Sequence, residues 1–356
     1  MATCQLPDGV RPTSIDTDRL RIHALVAGPD DGVPVVFLHG NLATSLFWDE
    51  TLDALPDRYR GIAVDMRGFG DTEPKPVDAT RGVGDLADDL DAMIETMGLD
   101  RPHLVGWSTG GLVAMRFAAD DPGRVRSLTL VGSVPPYGFG GTGDTDGTPI
   151  NDAYSGVGAG IMPEETLTRV GSGDLSSESD FSPRVFMNAF YWKQGFTVDP
   201  AREDAFVEAI CTTVIGEDNN PGDIVPAEHW PGFGPGTRGT LNALSGRYGN
   251  VARLADVEPK PPILWVQGTD DLVVSDTSSY DIGHLGRLGV VPGWPGAAVY
   301  PAQPMVAQMR AFLERYRSAG GTTVAVEIEG AGHGPHIDHA PEFQAAFFAF
   351  LDQAGS

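Results

Sequence analysis

The sequence predicts an α/β protein in which a mostly parallel sheet is covered on both faces by helices and is interrupted by a helical insertion. Three observations carry this. Short apolar, β-branched runs alternate with helical patterns through the first half of the chain. The rhythm breaks after Pro135, and it resumes at Pro262 with the same strand-then-helix order. A chain of 356 residues, 41% of them hydrophobic, can bury one large core with an insertion or two ordinary domains.

Taken in order, Arg19 to Ala27 alternates as an antiparallel edge strand does. Val33 to Leu38 and Gly61 to Asp65 read as buried strands. Leu86, Leu90, Met93, Ile94 and Met97 recur at helical spacing, with Gly98 placed to end the helix. His103 to Trp107 is the next strand, Leu112 to Ala119 an apolar helix closed by Asp121-Pro122, and Val125 to Val131 another strand. From Gly138 to about Asp174 the sequence is Gly-rich and Ser-rich and reads as loop. Ser182-Pro183 and Asp199-Pro200 each place an N-cap residue before proline at the first helical position. Pro262 to Gln267 restores the strand pattern, followed by a helix at Met305 to Ser318, a strand at Thr323 to Ile328 and a helix from Pro341 to Leu351. Residues 1–134 and 259–356 are therefore assigned to the sheet domain, and 135–258 to an inserted helical cap. No internal repeat is visible.

The formal charge of −25, with Lys75, Lys193 and Lys260 as the only lysines, argues against a nucleic-acid partner, because phosphate binding needs a basic face. Cys4 and Cys211 are the only cysteines, and no disulfide framework is implied. No basic segment leads into an apolar run at the N-terminus, and nowhere do about 18 apolar residues occur together. The expectation is a cytoplasmic chain with no membrane partner.

The chemistry concentrates at strand ends. Gly106-Trp107-Ser108-Thr109-Gly110 lies where an apolar strand gives way to an apolar helix, the context a G-x-S-x-G nucleophile turn requires. Such a turn strains the serine backbone, so residues two before and two after it must be small. An ordinary Gly-rich strand-to-helix turn could share this composition. A serine hydroxyl needs a base, and the base an orienting acid. Downstream, the strand at Pro262 to Gln267 runs into Gly268-Thr269-Asp270-Asp271, and the strand at Thr323 to Ile328 into Gly330-Ala331-Gly332-His333. Open α/β sheets form their sites at the carboxyl ends of strands, and here three such ends carry, in chain order, a serine, a pair of aspartates and a histidine.

With Leu38-His39-Gly40-Asn41 and Asp65-Met66-Arg67-Gly68-Phe69-Gly70 added, the chain resembles the α/β-hydrolase superfamily, in its capped serine esterase and lactonase-like branch. The resemblance covers about Arg19 to Pro135 and Pro262 to the end. It implies the α/β-hydrolase fold, an eight-stranded mostly parallel sheet with helices on both faces and an inserted helical cap. It also implies Ser108 as nucleophile, His333 as general base and then acid, and Asp271 as the orienting carboxylate. Asp271 is preferred to Asp270 because the family's acid usually falls three residues after the glycine. The backbone N–H groups of Asn41 and Thr109 would form the oxyanion hole. Dehalogenases and epoxide hydrolases are similar in sequence, but their nucleophile is an aspartate, so Ser108 suggests acyl transfer to water.

The implied function is cleavage of a small-molecule substrate, a carboxylic ester or lactone with a bulky apolar part, without metal or cofactor. The alternatives are the same triad used for C–C bond hydrolysis, perhydrolysis or a lyase reaction, and a ligand-binding receptor on a hydrolase scaffold. A homodimer is the one macromolecular partner entertained. Trp107, Phe186, Phe190 and Tyr191 are assigned to the substrate pocket, with packing of the cap against the sheet domain as the other reading of the cap aromatics. His333, His336, Asp338 and His339 cluster but are not read as a metal set, and His336 is read as a support of the loop, Asp65 and Arg67 as braces, and Trp48 as core near the His39 loop. The long Pro- and Gly-rich stretch from Gly286 to Pro304 is read as a second wall of the entrance.

Overall fold

The computed structural model describes residues 6–354. Its centre is an eight-stranded sheet. The strands are β1 (Arg11–Asp16), β2 (Arg21–Ala27), β3 (Val33–Leu38), β4 (Tyr59–Val64), β5 (His103–Trp107), β6 (Ser127–Val131), β7 (Ile263–Gly268) and β8 (Thr323–Ile328). Their spatial order is β1-β2-β4-β3-β5-β6-β7-β8. β2 pairs antiparallel with both β1 and β4, and every other pairing is parallel. Every residue of β5, β6 and β7 is buried. Because successive side chains point to opposite faces, both faces of the sheet centre must be covered.

The main helices are α1 (Gly84–Thr96), α2 (Thr109–Asp120), α3 (Glu164–Gly171), α4 (Pro183–Phe190), α5 (Pro200–Ile210), α6 (Met305–Ser318) and α7 (Ala340–Ala354). Gly98 follows α1 at φ 62°, the left-handed conformation its position demanded. The two Ser/Asp-Pro starts cap as their sequence indicates: Ser182 accepts from the Val185 amide and Asp199 from the Ala201 amide. Among the described residues no helix is long and apolar enough to cross a membrane. Cys4 lies outside the described residues, and Cys211 is partly buried.

The strand at Arg21–Ala27 is not the edge strand that its alternation suggests. β1 lies outside it, and β1 escaped sequence reading because Ile15 is its only buried residue. An edge strand facing water needs no apolar stripe. Helix α3 was also missed, inside a segment that reads as loop. It is a single short amphipathic piece, with Glu165 bonded to Arg169 one turn on, and in water such a helix relies on packing for its stability.

The segment between β6 and β7 carries α3 to α5 and two small strand pairs, Ile215–Gly216 with Asn220–Pro221 and Ile224–Pro226 with Phe233–Pro235. It is anchored to the sheet domain by a stacked Phe47–Phe206 pair with centroids 4.3 Å apart. An Arg202–Asp49 ion pair at 2.5 Å lies in the same contact.

Asp65 and Arg67 brace the turn after β4. The Asp65 carboxylate accepts from the Ser45 amide at 2.7 Å and the Asp71 amide at 3.1 Å, and pairs with His23 Nδ1 at 2.8 Å. Arg67 grips Asp89 with two nitrogens. The hydrogen bond to Asp65 raises the His23 pKa above its ordinary 6.5, and the bond from His23 helps lower that of Asp65 against the cost of burial. A raised histidine stabilises fully below its unfolded value and loses that contribution as pH climbs through the folded value. His23→Gln is therefore expected to lower Tm more at about pH 5 than at about pH 9. Thermal unfolding at both pH values checks this, and a deficit larger at the alkaline end would contradict it.

Candidate active site

β5 delivers Ser108 to the start of α2. Its backbone stands at φ 55° and ψ −116°, a strained conformation for a residue with a side chain. The tightness of the turn explains its glycines. A Cβ on Gly106 would lie 2.3 Å from the Gly110 carbonyl oxygen, and one on Gly110 would lie 2.4 Å from that of Leu38. The Ser108 amide donates to Val131 O at 3.0 Å, which ties the turn to β6.

The loop after β3 lies against this turn. A Cβ on Gly40 would come within 3.2 Å of Ser108 Cβ. His39 sits beneath, fully buried, with Nε2 accepting the Met66 amide at 2.9 Å and Nδ1 donating to Gly40 O at 2.7 Å. Burial lowers its pKa, so it remains neutral and the two ring nitrogens keep these opposite roles.

Asp271 and His333 meet from the ends of β7 and β8. His333 Nδ1 donates to Asp271 Oδ2 at 2.9 Å, and both side chains are almost completely buried. The other oxygen of Asp271 accepts the Val273 amide at 2.7 Å and the Val274 amide at 2.9 Å. Gln267 Nε2 adds a bond to Oδ2 at 3.0 Å. Asp270, one residue earlier, is exposed, its side chain beside the Thr269 hydroxyl at 3.4 Å. Gly132 passes beside the pair: a Cβ there would stand 3.1 Å from His333 Nδ1 and 3.4 Å from Asp271 Oδ2.

Ser108 and His333 open together into a cavity of about 610 Å³, counting its mouth, whose lining also includes Asn41 and Thr109. The rest of the wall is largely apolar. Phe139, Ile161, Met162, Phe186, Leu241 and Leu244 come from the segment between β6 and β7, and Val273 and Tyr280 from the loop after β7.

Of the four pocket residues expected from sequence, Phe186 and Tyr191 line the cavity and two do not. Trp107 lies behind the wall, its ring against two lining residues, Tyr191 at 5.3 Å and His333 at 5.4 Å between centroids. It is buried, and its Nε1 donates to the His333 carbonyl at 2.9 Å. Phe190 stands behind Phe186 and Tyr280, at centroid distances of 5.6 and 5.1 Å. The stretch from Gly286 to Pro304 supplies no lining either. It clamps residues that lead into the wall: Gln303 Nε2 donates to Gly138 O at 3.0 Å, and the Tyr300 hydroxyl bonds Ser155 O.

The residues around His333 support its loop. Asp338 Oδ2 accepts the Gly332 amide at 2.7 Å and the Lys193 amide at 2.8 Å, while Oδ1 pairs with His339 at 3.0 Å. His336 is buried against the Trp48 ring, with centroids 4.1 Å apart, and burial holds its pKa well below the ordinary value. A histidine–serine hydrogen bond, His103 to Ser127 at 2.7 Å, joins β5 to β6 inside the core, at the strand ends opposite the site.

A family model described as "alpha/beta hydrolase fold" matches residues 33–152. Among curated proteins, the chain is 34% identical over 110 residues to the uncharacterized carboxylesterase nap of Bacillus subtilis, a match covering 31% of this chain and 36% of that protein. It is 32% identical over 126 residues to epoxide hydrolase 1 of Caenorhabditis elegans (35% and 31%). With the non-heme chloroperoxidase of Streptomyces lividans it shares 37% over 125 residues (35% and 45%). The matched region thus spans less than half the length of these relatives.

Among solved structures, carboxylesterase CesB of Bacillus subtilis superposes with a TM-score of 0.59 at 15% identity, covering 97% of this chain and 93% of that one. The esterase RhEst1 of Rhodococcus sp. ECU1013 gives 0.56 at 20% identity, covering 97% and 98%. These likenesses establish the fold. The chain has the α/β-hydrolase fold, and residues 33–152 match that family's model.

Proposed function

We propose that the protein is a serine hydrolase that cleaves a carboxylic ester or lactone with a bulky apolar part. The observation that carries this reading is the meeting of Ser108 and His333 in one largely apolar cavity, with Nδ1 of that histidine engaged by a buried carboxylate. Residues 135–258 act as a cap, since they supply most of the apolar wall.

Ser108 Oγ attacks the substrate carbonyl as His333 Nε2 takes its proton. Asp271 keeps the Nδ1 proton in place and stabilises the imidazolium that forms. The oxyanion rests on the Asn41 and Thr109 amides, backed by the N-terminus of α2. The proton then passes from Nε2 to the leaving oxygen, giving an acyl-enzyme. A water activated by His333 attacks that ester and frees the acid and Ser108. Trp107 supports the cycle by holding the His333 carbonyl, and Gly132 by leaving room for the His–Asp pair.

The carboxylesterase name carried by the relative from Bacillus subtilis favours ester cleavage over the other uses of such a triad. The reading predicts that among p-nitrophenyl esters kcat/KM rises from acetate to a larger apolar acyl group by roughly tenfold or more, since each buried methylene adds about 0.8 kcal/mol. Initial rates across an ester and lactone panel check this. A flat or falling dependence on acyl size, with all lactones inert, would remove the bulky-substrate assignment.

A further inference from the structure

We propose that Tyr191 is a positioning residue for the oxyanion hole, acting through its hydroxyl on the loop that carries the Asn41 amide. The inference rests on the hydrolase reading above. Tyr191 follows α4 and belongs to the segment inserted between β6 and β7. Its hydroxyl donates to both Asn41 O and Leu42 O, each at 2.9 Å. Those two carbonyls belong to the peptides immediately after the amide that would receive the oxyanion.

The loop needs such a restraint. Leu42 has φ 52°, a region that residues with a side chain rarely occupy and that the surroundings must enforce. Three successive carbonyls of the loop are in fact engaged: Gly40 O by His39 Nδ1, then Asn41 O and Leu42 O by Tyr191. Asn220, from the same inserted segment, bonds the Asn41 side-chain oxygen as well. The Asn41 peptide is therefore held from the sheet domain on one side and from the insertion on the other.

The same few residues also grip the histidine loop. The Gly334 amide donates to Tyr191 O at 2.7 Å. Asp338 bridges the Lys193 and Gly332 amides at 2.8 and 2.7 Å. Residues 191–193 thus connect the loop of the oxyanion donor to the loop of the general base. The Tyr191 ring is packed edge-on to Trp107 at 5.3 Å and to Phe47 at 6.0 Å, which limits its freedom to swing away. Burial raises the phenol pKa well above its ordinary value, so the hydroxyl stays a donor at any working pH.

Tyr191→Phe keeps the ring in the cavity wall and removes only the donor. Loss of an oxyanion donor outright costs roughly a hundredfold or more. A donor that is merely loosened should cost less, so kcat for a p-nitrophenyl ester is expected to fall about 10- to 100-fold with KM within about threefold. The Ki of a trifluoromethyl ketone, which adds Ser108 and places an oxyanion in the hole, should rise by the same factor. Asn220→Ala is expected to move both quantities in the same direction by less, and it carries the test if thermal unfolding shows Tyr191→Phe to be unfolded.

Three results would overturn the proposal. One is a full-sized rise in KM at unchanged kcat, which would make the hydroxyl a substrate contact. Another is a fall in kcat with no change in the ketone Ki. The third is wild-type behaviour of the folded variants. Ser108→Ala in the same assay separates the two levels: if it retains turnover the hydrolase reading fails, whereas if it is inactive and Tyr191→Phe is normal only this inference fails.

Discussion

Ser108→Ala is expected to lower kcat on any ester the protein hydrolyses by roughly 10⁴-fold or more, the scale on which loss of a triad nucleophile acts. The residue has no other work that would explain such a loss. Its hydroxyl opens to the cavity beside His333, and the strained turn is held by its backbone and by Gly106 and Gly110. Removing one oxygen should leave the fold and the Asp271–His333 bond intact, so Tm should change little. Purified variant and wild type assayed side by side, with unfolding curves, check both halves. Residual activity near the wild-type level would require a different nucleophile.

Asp271→Asn is expected to cost roughly 10⁴-fold in kcat near neutral pH, with Asp270→Asn as its control at about the wild-type rate. The asymmetry follows from where the two carboxylates lie. Asp271 is buried, bonded to His333 Nδ1 at 2.9 Å, and fixed by two backbone amides and Gln267. An asparagine there can still accept the amides, but it can present an N–H toward Nδ1 and so favour the wrong imidazole tautomer. It also removes the charge that stabilises the imidazolium. Asp270 is exposed and has no contact with the histidine. Steady-state kinetics of the two variants decide the assignment, and the reverse pattern of losses would transfer the role to Asp270.

Much of this arrangement was legible in the sequence because it is local. The strand from Val33 to Leu38, the helix from Met305 to Ser318 and the strand from Thr323 to Ile328 have the bounds their patterns give. Ser182 and Asp199 cap the helices they announce. The glycines about Ser108 are required by backbone approaches under 2.5 Å, a requirement that shows in sequence as G-x-S-x-G.

What failed was non-local. β1 is held by pairing with β2 rather than by an apolar face of its own. The cavity wall gathers Phe139, Met162 and Leu241 from separate points along the segment between β6 and β7, and no periodicity links them. Aromatic character alone points Trp107 and Phe190 to that wall, but both stand one layer behind it, Trp107 against Tyr191 and His333 and Phe190 against Phe186 and Tyr280. The Tyr191 bonds to Asn41 and Leu42 join residues about 150 apart, and only the folded chain brings them together.

The most direct test of the account is covalent. A fluorophosphonate probe reacts with a serine only where a base and an oxyanion site activate it. Intact-mass measurement should show a single adduct per chain, peptide mapping should place it on Ser108, and a hydrolysable ester should protect against it. Turnover of that ester by protein that carries no adduct, or carries one at another residue, would contradict the assignment of Ser108 as the nucleophile.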